Sequence, residues 1–211
     1  MSKFQLIDNV YIAPTPGGAY YGTSGPEQNP SRRLLLQLLM GDSSPPLSID
    51  ALQEWTGHAN PEQALELLFH AQRIGWVEGY KDTREAPKGS LEKVLPELLP
   101  LLSGSGKALL ADGQGFYVSS QGFLHETAEE LSALSADLAS LHERHRRLLA
   151  NNIGMSTSAW GLVDAAGNSQ IGFWPLYIAE QRFVLIIGDM PRLNQPALKT
   201  LIWALVKRYG S

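Results

Sequence analysis

Apolar and polar positions alternate along this chain in short periodic blocks, separated by Gly-, Pro- and Ser-rich punctuation. The opening predicts a β-hairpin. Phe4-Gln5-Leu6-Ile7 and Val10-Tyr11-Ile12 are apolar, Pro14-Thr15-Pro16-Gly17-Gly18 supplies turn residues, and Ala19-Tyr20-Tyr21 reads as a returning strand. A helix follows, with Asn29 as its cap, Pro30 in the first helical position, and Leu34, Leu35, Leu38 and Leu39 as its apolar stripe. Ser48 caps a short helix over 49–56, with Ile49, Leu52 and Trp55 on one face. After the tight turn Gly57-His58-Ala59, Asn60-Pro61 opens a longer helix over 62–73, with Leu65, Leu68 and Phe69 at helical spacing. Gly75 ends it, Trp76-Val77 begins a strand, and 81–89 is charged and turn-rich.

The second half has a different rhythm. A Leu-rich helix over 90–102 contains Pro96 and Pro100, which predict a kink or a split. Ser103-Gly104-Ser105-Gly106 is a short joint. The strand Ala108-Leu109-Leu110-Ala111 then meets Phe116-Tyr117-Val118-Ser119 through the turn Asp112-Gly113-Gln114-Gly115. Thr127 is placed to cap a long helix with Glu129 and Glu130 in its first turn. Leu131, Leu134, Leu138, Leu141, Leu148 and Leu149 recur along one face. Arg144, Arg146 and Arg147 sit near its C-terminal end, where positive charge suits the helix dipole. Strands over 160–163, 170–177 and 182–187 follow, then a helix over 196–209 with Leu198, Leu201, Ile202, Leu205 and Val206 on one face.

Residues 1–89 thus read as a β-hairpin plus a domain whose order of helix, short helix, tight turn, longer helix and strand resembles a winged helix-turn-helix. Residues 90–211 read as a second α/β domain. Its opening, residues 107–120 with the Asp112-Gly113-Gln114-Gly115 turn, resembles the Roadblock / dynein-light-chain family. So do the Ala-, Ser- and Leu-rich stretch 128–139 and the strand Phe183-Val184-Leu185-Ile186-Ile187. The resemblance implies an α+β fold with a five-stranded antiparallel sheet flanked by helices. It also implies homodimers formed through edge strands and the long helix, and recognition of small Ras-like GTPases or motor subunits. It carries no catalytic residues. The Pro-containing fourth strand and the N-terminal domain depart from the minimal pattern. Three features support a dimer independently: the wide Leu stripe, the open edges of such a sheet, and the number of aromatics, Trp160, Phe173, Trp174, Tyr177 and Trp203 among them.

Composition narrows the chemistry. The chain has 211 residues, 44% hydrophobic and 18% charged, with a formal charge of −4, so it builds real cores and offers no general attraction to nucleic acid or anionic membranes. The absence of cysteine removes disulfides, thiolate metal sites and cysteine nucleophiles. Residues 1–4 lead into no apolar run of the kind a secretory signal needs, and no stretch approaches a membrane span. A soluble cytoplasmic protein is the expectation.

The candidate sites follow from these patterns. Leu131, Leu134, Leu138, Leu141, Arg144, Trp160 and Trp174 are candidates for a dimer or partner interface. Nucleic acid is the less favoured partner. Arg32, Arg33, Asn60, Gln63 and Arg73 are its candidate contacts, but the helix that would enter the groove opens with Glu62 and Glu66. Residues 1–90 hold seven Lys and Arg against ten Asp and Glu, the reverse of a DNA-binding balance. The cluster His142, Arg144, His145, Arg146 and Arg147 reads first as a solvated helix end and second as a contact for an acidic partner surface. His142 and His145 lack further ligands for a metal. Asp112-Gly113-Gln114-Gly115 precedes a strand and lacks the Lys-Ser/Thr of a phosphate loop, no G-x-S-x-G is present, and Ser156-Thr157-Ser158 reads as a polar loop. No catalytic, cofactor or metal residue is therefore assigned. The leading expectation is a non-enzymatic homodimeric adaptor or regulator of a small Ras-like GTPase. The alternative is a DNA-binding transcriptional regulator with a C-terminal dimerisation or sensor domain; profilin-like domains share this strand-helix vocabulary, which keeps a ligand-binding sensor open as a further reading.

Overall fold

The computed structural model describes residues 6, 7 and 9–210. Phe4 and Gln5 of the expected first strand lie outside them, and Leu6 and Ile7 are not in a strand. Strand β1 (Tyr11–Pro14) is followed by a helix, α1 (Pro16–Thr23), where the returning strand was expected. The correction has a local cause. Thr15 caps this helix, its hydroxyl oxygen accepting from the Gly18 N–H at 3.0 Å, and Pro16 occupies the first turn. The same hydroxyl donates to the Gly75 carbonyl at 2.7 Å. Gly18 serves close packing rather than a turn, because a Cβ there would sit 2.0 Å from the Trp76 carbonyl oxygen.

Helices α2 (Pro30–Gln37), α3 (Ile49–Thr56) and α4 (Pro61–Arg73) begin at the caps the sequence announces. Asn29 accepts from the Arg32 N–H at 2.9 Å, Ser48 from Ala51 at 3.2 Å and Asn60 from Glu62 at 2.8 Å. Gly57, in the left-handed region at φ 74°, turns α3 into α4. Their apolar faces enclose a core that includes Leu34, Leu38, Leu52, Leu65 and Leu68. Strand β2 (Val77–Tyr80) pairs antiparallel with β1, Tyr80 opposite Tyr11 and Val77 opposite Pro14. On the other side of β1, the Ile12 N–H donates to Pro45 at 3.1 Å and the Leu47 N–H to Val10 at 2.8 Å. The chain after β2 runs against residues 42–44, through Ser44 to Arg84 and Ala86 to Asp42, each 2.8 Å, so no hairpin follows β2 among the described residues.

Helix α5 (Leu91–Leu98) contains Pro96 and gives way to a 3₁₀ turn (Leu99–Leu102) at Pro100, which has no N–H to continue the α-helix. Next come β3 (Ala108–Asp112), β4 (Tyr117–Gln121), α6 (His125–Arg144), β5 (Trp160–Val163), β6 (Ser169–Ile178), β7 (Gln181–Gly188) and α7 (Pro196–Tyr209). The strands form one antiparallel sheet in the order β4-β3-β7-β6-β5. The fold is α+β: a helical N-terminal region plus a five-stranded antiparallel sheet flanked by helices. Pro175 fits inside β6 because β5 pairs with β6 only as far as Phe173. Beyond that point β6 has a neighbour on one side alone, and a missing N–H is tolerated there.

Strand alternation sends side chains to two faces. Leu110, Leu185 and Ile187 point to a core closed by α5, the 3₁₀ turn and α7. Leu109, Val184 and Ile186 point to a smaller core under α6. Helix α7 buries Ala197, Leu198 and every residue from 201 to 206, because α1 packs on the side that the sheet leaves open, and keeps Lys199, Thr200, Lys207 and Arg208 less covered toward its ends. Ala19, Leu39 and Ala86 join its core, Trp203 donates through Nε1 to the Gly41 carbonyl at 3.0 Å, and Lys207 pairs with Asp42. One core therefore runs across residue 89.

Candidate interaction surface

Helix α6 departs from its sequence reading in three ways. It starts at His125 with no side-chain cap, not at Thr127. It ends at Arg144, and residues 147–152 form a π-helical segment. The face it buries is Ala128, Ser132 and Ser135 rather than the leucines. The cause is close approach. At Gly115 (φ 91°) in the β3–β4 turn, a Cβ would lie 3.3 Å from Ala133 Cα and from the Ser132 carbonyl, so only small side chains fit beneath the helix. The two buried serines donate within the helix, Ser132 to Ala128 and Ser135 to Ser132, each at 2.7 Å, so neither hydroxyl is left unpaired.

The leucines are thereby displaced. Leu131 and Leu138 lean against the core under the helix. Leu134, Leu141 and Leu148, seven apart, remain 40%, 36% and 47% exposed. The end of α6 reaches the sheet edge at Trp160, whose ring meets His142 edge-on at 6.2 Å. Leu162 follows Trp160 on the same side of β5, beyond the cover of α6, and is 61% exposed. Among the described residues the outer side of β5 has no strand neighbour. The structure thus brings Leu134, Leu141 and Trp160 to one side of the sheet, with Arg144 exposed at the helix end. Trp174 does not join them. It packs on the opposite face, in the core shared with α7, because its neighbour Phe173 takes the α6 side. Leu162, absent from the sequence-derived set, was legible as the partner of Trp160 two positions along a strand.

The nucleic-acid candidates are dispersed. Arg32 donates to the Glu27 carbonyl at 2.9 Å and lies over the Tyr21 ring at 5.2 Å, while Arg33 donates to the Glu54 carbonyl at 3.1 Å. Asn60 is used as the α4 cap. Gln63 and Arg73 are exposed on α4 beside Glu62 and Glu66.

A polar cleft of about 170 Å³ lies where the α1–α2 loop meets the end of α6. Arg146 pairs there with Glu27 from the N-terminal region and stands 3.8 Å from Glu143. Burial pushes the Tyr177 phenol in its wall above the usual tyrosine range. Among the described residues no group of three or more His, Asp or Glu is placed to hold a metal, and no helix is long and apolar enough to cross a membrane.

No family model and no curated protein matches the chain. Among solved structures it is similar to the Roadblock/LC7 domain from Streptomyces avermitilis, with 14% identity over 57% of this chain and 93% of that one and a TM-score of 0.35. It is also similar to Myxococcus xanthus MglB, with 18% identity over 56% and 94% and a TM-score of 0.38. For the gliding protein MglB of Thermus thermophilus the identity is 19% over 59% and 94%, and the TM-score is 0.37.

Proposed function

We propose that this chain is a non-enzymatic homodimeric adaptor or regulator, and that its sheet half pairs with a second copy through α6 and β5 and recognises a small Ras-like GTPase. The observation that carries the dimer is the exposure of Leu134 and Leu141 on α6 and of Leu162 on β5, whose outer side has no strand neighbour among the described residues. Water-exposed leucines at heptad spacing beside an unpaired strand leave both apolar area and backbone hydrogen bonds to be satisfied. A two-fold partner satisfies both at once, because each copy offers the other the same helix and the same edge. The GTPase half of the reading rests on the resemblance of residues 107–120, 128–139 and 183–187 to the Roadblock family. Its test is pull-down with the Ras-like GTPases of the host, followed by nucleotide-hydrolysis assays. Retention of at least one GTPase is expected, and binding to none of them refutes that half. The helical N-terminal region, whose α4 opens with two glutamates, serves in this reading as a second protein-contact surface.

A further inference from the structure

The cleft between the α1–α2 loop and the end of α6 is built by one copy of the chain. Its lining sets Arg32, Arg146 and His142 against two carboxylates, Glu27 and Glu143. The chain carries −4 overall, yet residues 142–147 hold three arginines and two histidines against one glutamate. Of this stretch only Arg146, His142 and Glu143 line the cleft, and Arg32 lines it from the N-terminal side beside Glu27. The Arg32 side chain is only 13% exposed, and its Nε is buried without a hydrogen-bond partner among the described residues. A buried donor of that kind marks unused bonding capacity. Hydroxyls complete the wall: Ser24 from one side, Ser156 and Thr157 from the loop opposite.

We propose that this cleft is a binding site for a phosphate-sized oxyanion, and that the Glu27 carboxylate occupies Arg146 in the ligand's place. Guanidinium groups bind tetrahedral oxyanions through paired N–H donors, and serine and threonine hydroxyls add neutral donors. A volume of about 170 Å³ holds such an anion with room for the group that carries it. Glu27 reaches Arg146 across 119 residues of sequence, from a loop whose position Arg32 fixes through the Glu27 carbonyl and the Ser24 hydroxyl. An incoming dianion displaces Glu27 from Arg146 and frees the α1–α2 loop from the end of α6. Binding at this site thereby changes how the N-terminal region is tied to the helix that carries the exposed leucines.

The test is calorimetric titration of the full chain with inorganic phosphate at low ionic strength. Saturable one-to-one binding is expected. Glu27→Gln removes the internal competitor and tightens binding by about fivefold or more, while Arg146→Gln weakens it by about tenfold or more. Arg146→Lys keeps the charge without the fork and falls between. The pair is exposed, so thermal midpoints of these variants stay close to the parent. A second arm uses O-phosphoserine: tighter binding than phosphate assigns the anion to a modified protein segment, and equal or weaker binding assigns it to a free anion. Absence of saturable phosphate binding by the Glu27→Gln variant at millimolar concentrations overturns the proposal, as does an affinity that responds to neither Glu27→Gln nor Arg146→Gln.

Discussion

The two faces of the central sheet are built from similar strands and finished differently. One face is covered by α5 and α7, and α7 is covered in turn by α1, so Leu201, Ile202, Leu205 and Val206 lose nearly all contact with water. The other face carries a single helix, which buries alanine and serine against the strands and leaves leucines outside. Where a third layer is supplied by the same chain, a helix with an apolar middle, 201–206 of α7, is a core element. Where it is not, the apolar positions remain as a surface with the composition of an interface. The contrast places the buried core at the first face and, on the proposed reading, the meeting of two copies at the second.

Four perturbations break or sharpen that contrast. The largest effect is expected at the layered face. Leu201→Ala removes a fully buried side chain and costs about 2–5 kcal/mol of folding stability in chemical denaturation. Because the core crosses from the sheet to α1, both halves are expected to unfold in one transition. Next, Leu141→Glu combined with Leu162→Glu places charge on α6 and on the edge strand β5. The expected result is loss of about 2–4 kcal/mol of association free energy, seen as dissociation by sedimentation equilibrium, with the secondary structure retained. A smaller effect comes from Gly18→Ala, which drives a methyl into the Trp76 carbonyl and lifts α1 from its seat. Destabilisation of about 1–3 kcal/mol is expected, with increased hydrogen exchange in α1 and α7 while the α6 core stays protected.

The smallest concerns pH. Hydrogen bonding to Lys207 holds the Asp42 carboxyl below the usual aspartate range. A depressed native pKa adds stability above the unfolded value of about 3.9 and loses it as pH falls through the lower native value. Asp42→Asn is therefore expected to lower the thermal midpoint slightly at neutral pH, with the difference from the parent vanishing in acid. A difference that persists undiminished below the native value would show that Asp42 acts there by something other than its charge.

Local signals were the legible ones. Asn29, Ser48 and Asn60 each cap a helix within three residues of themselves, so their role is written beside them. The five strands and the Asp112 turn were readable for the same reason, with Asp112 Oδ1 accepting from the Gln114 and Phe116 N–H groups at 2.9 Å. Pro14-Thr15-Pro16-Gly17-Gly18 reads as a turn, yet Thr15 caps a helix. Gly18 packs there against Trp76, far along the sequence, which no local pattern reports. Which face of α6 is buried was not legible, because periodicity reports an apolar stripe and not how near the sheet lies. Adjacent residues of a strand point to opposite faces, so Phe173 and Trp174 were never able to share a surface. Contact between Glu27 and Arg146 has no sequence signature at all, since neither residue's neighbours announce the other.

The central claim is that the α6 face is where two copies meet. Light scattering of the unmodified chain at micromolar concentration tests it most directly. A mass about twice the 23.1 kDa of one chain is expected, falling to the single-chain value on Leu141→Glu with Leu162→Glu. A mass of one chain for the unmodified protein, or a dimer indifferent to both substitutions, would contradict it.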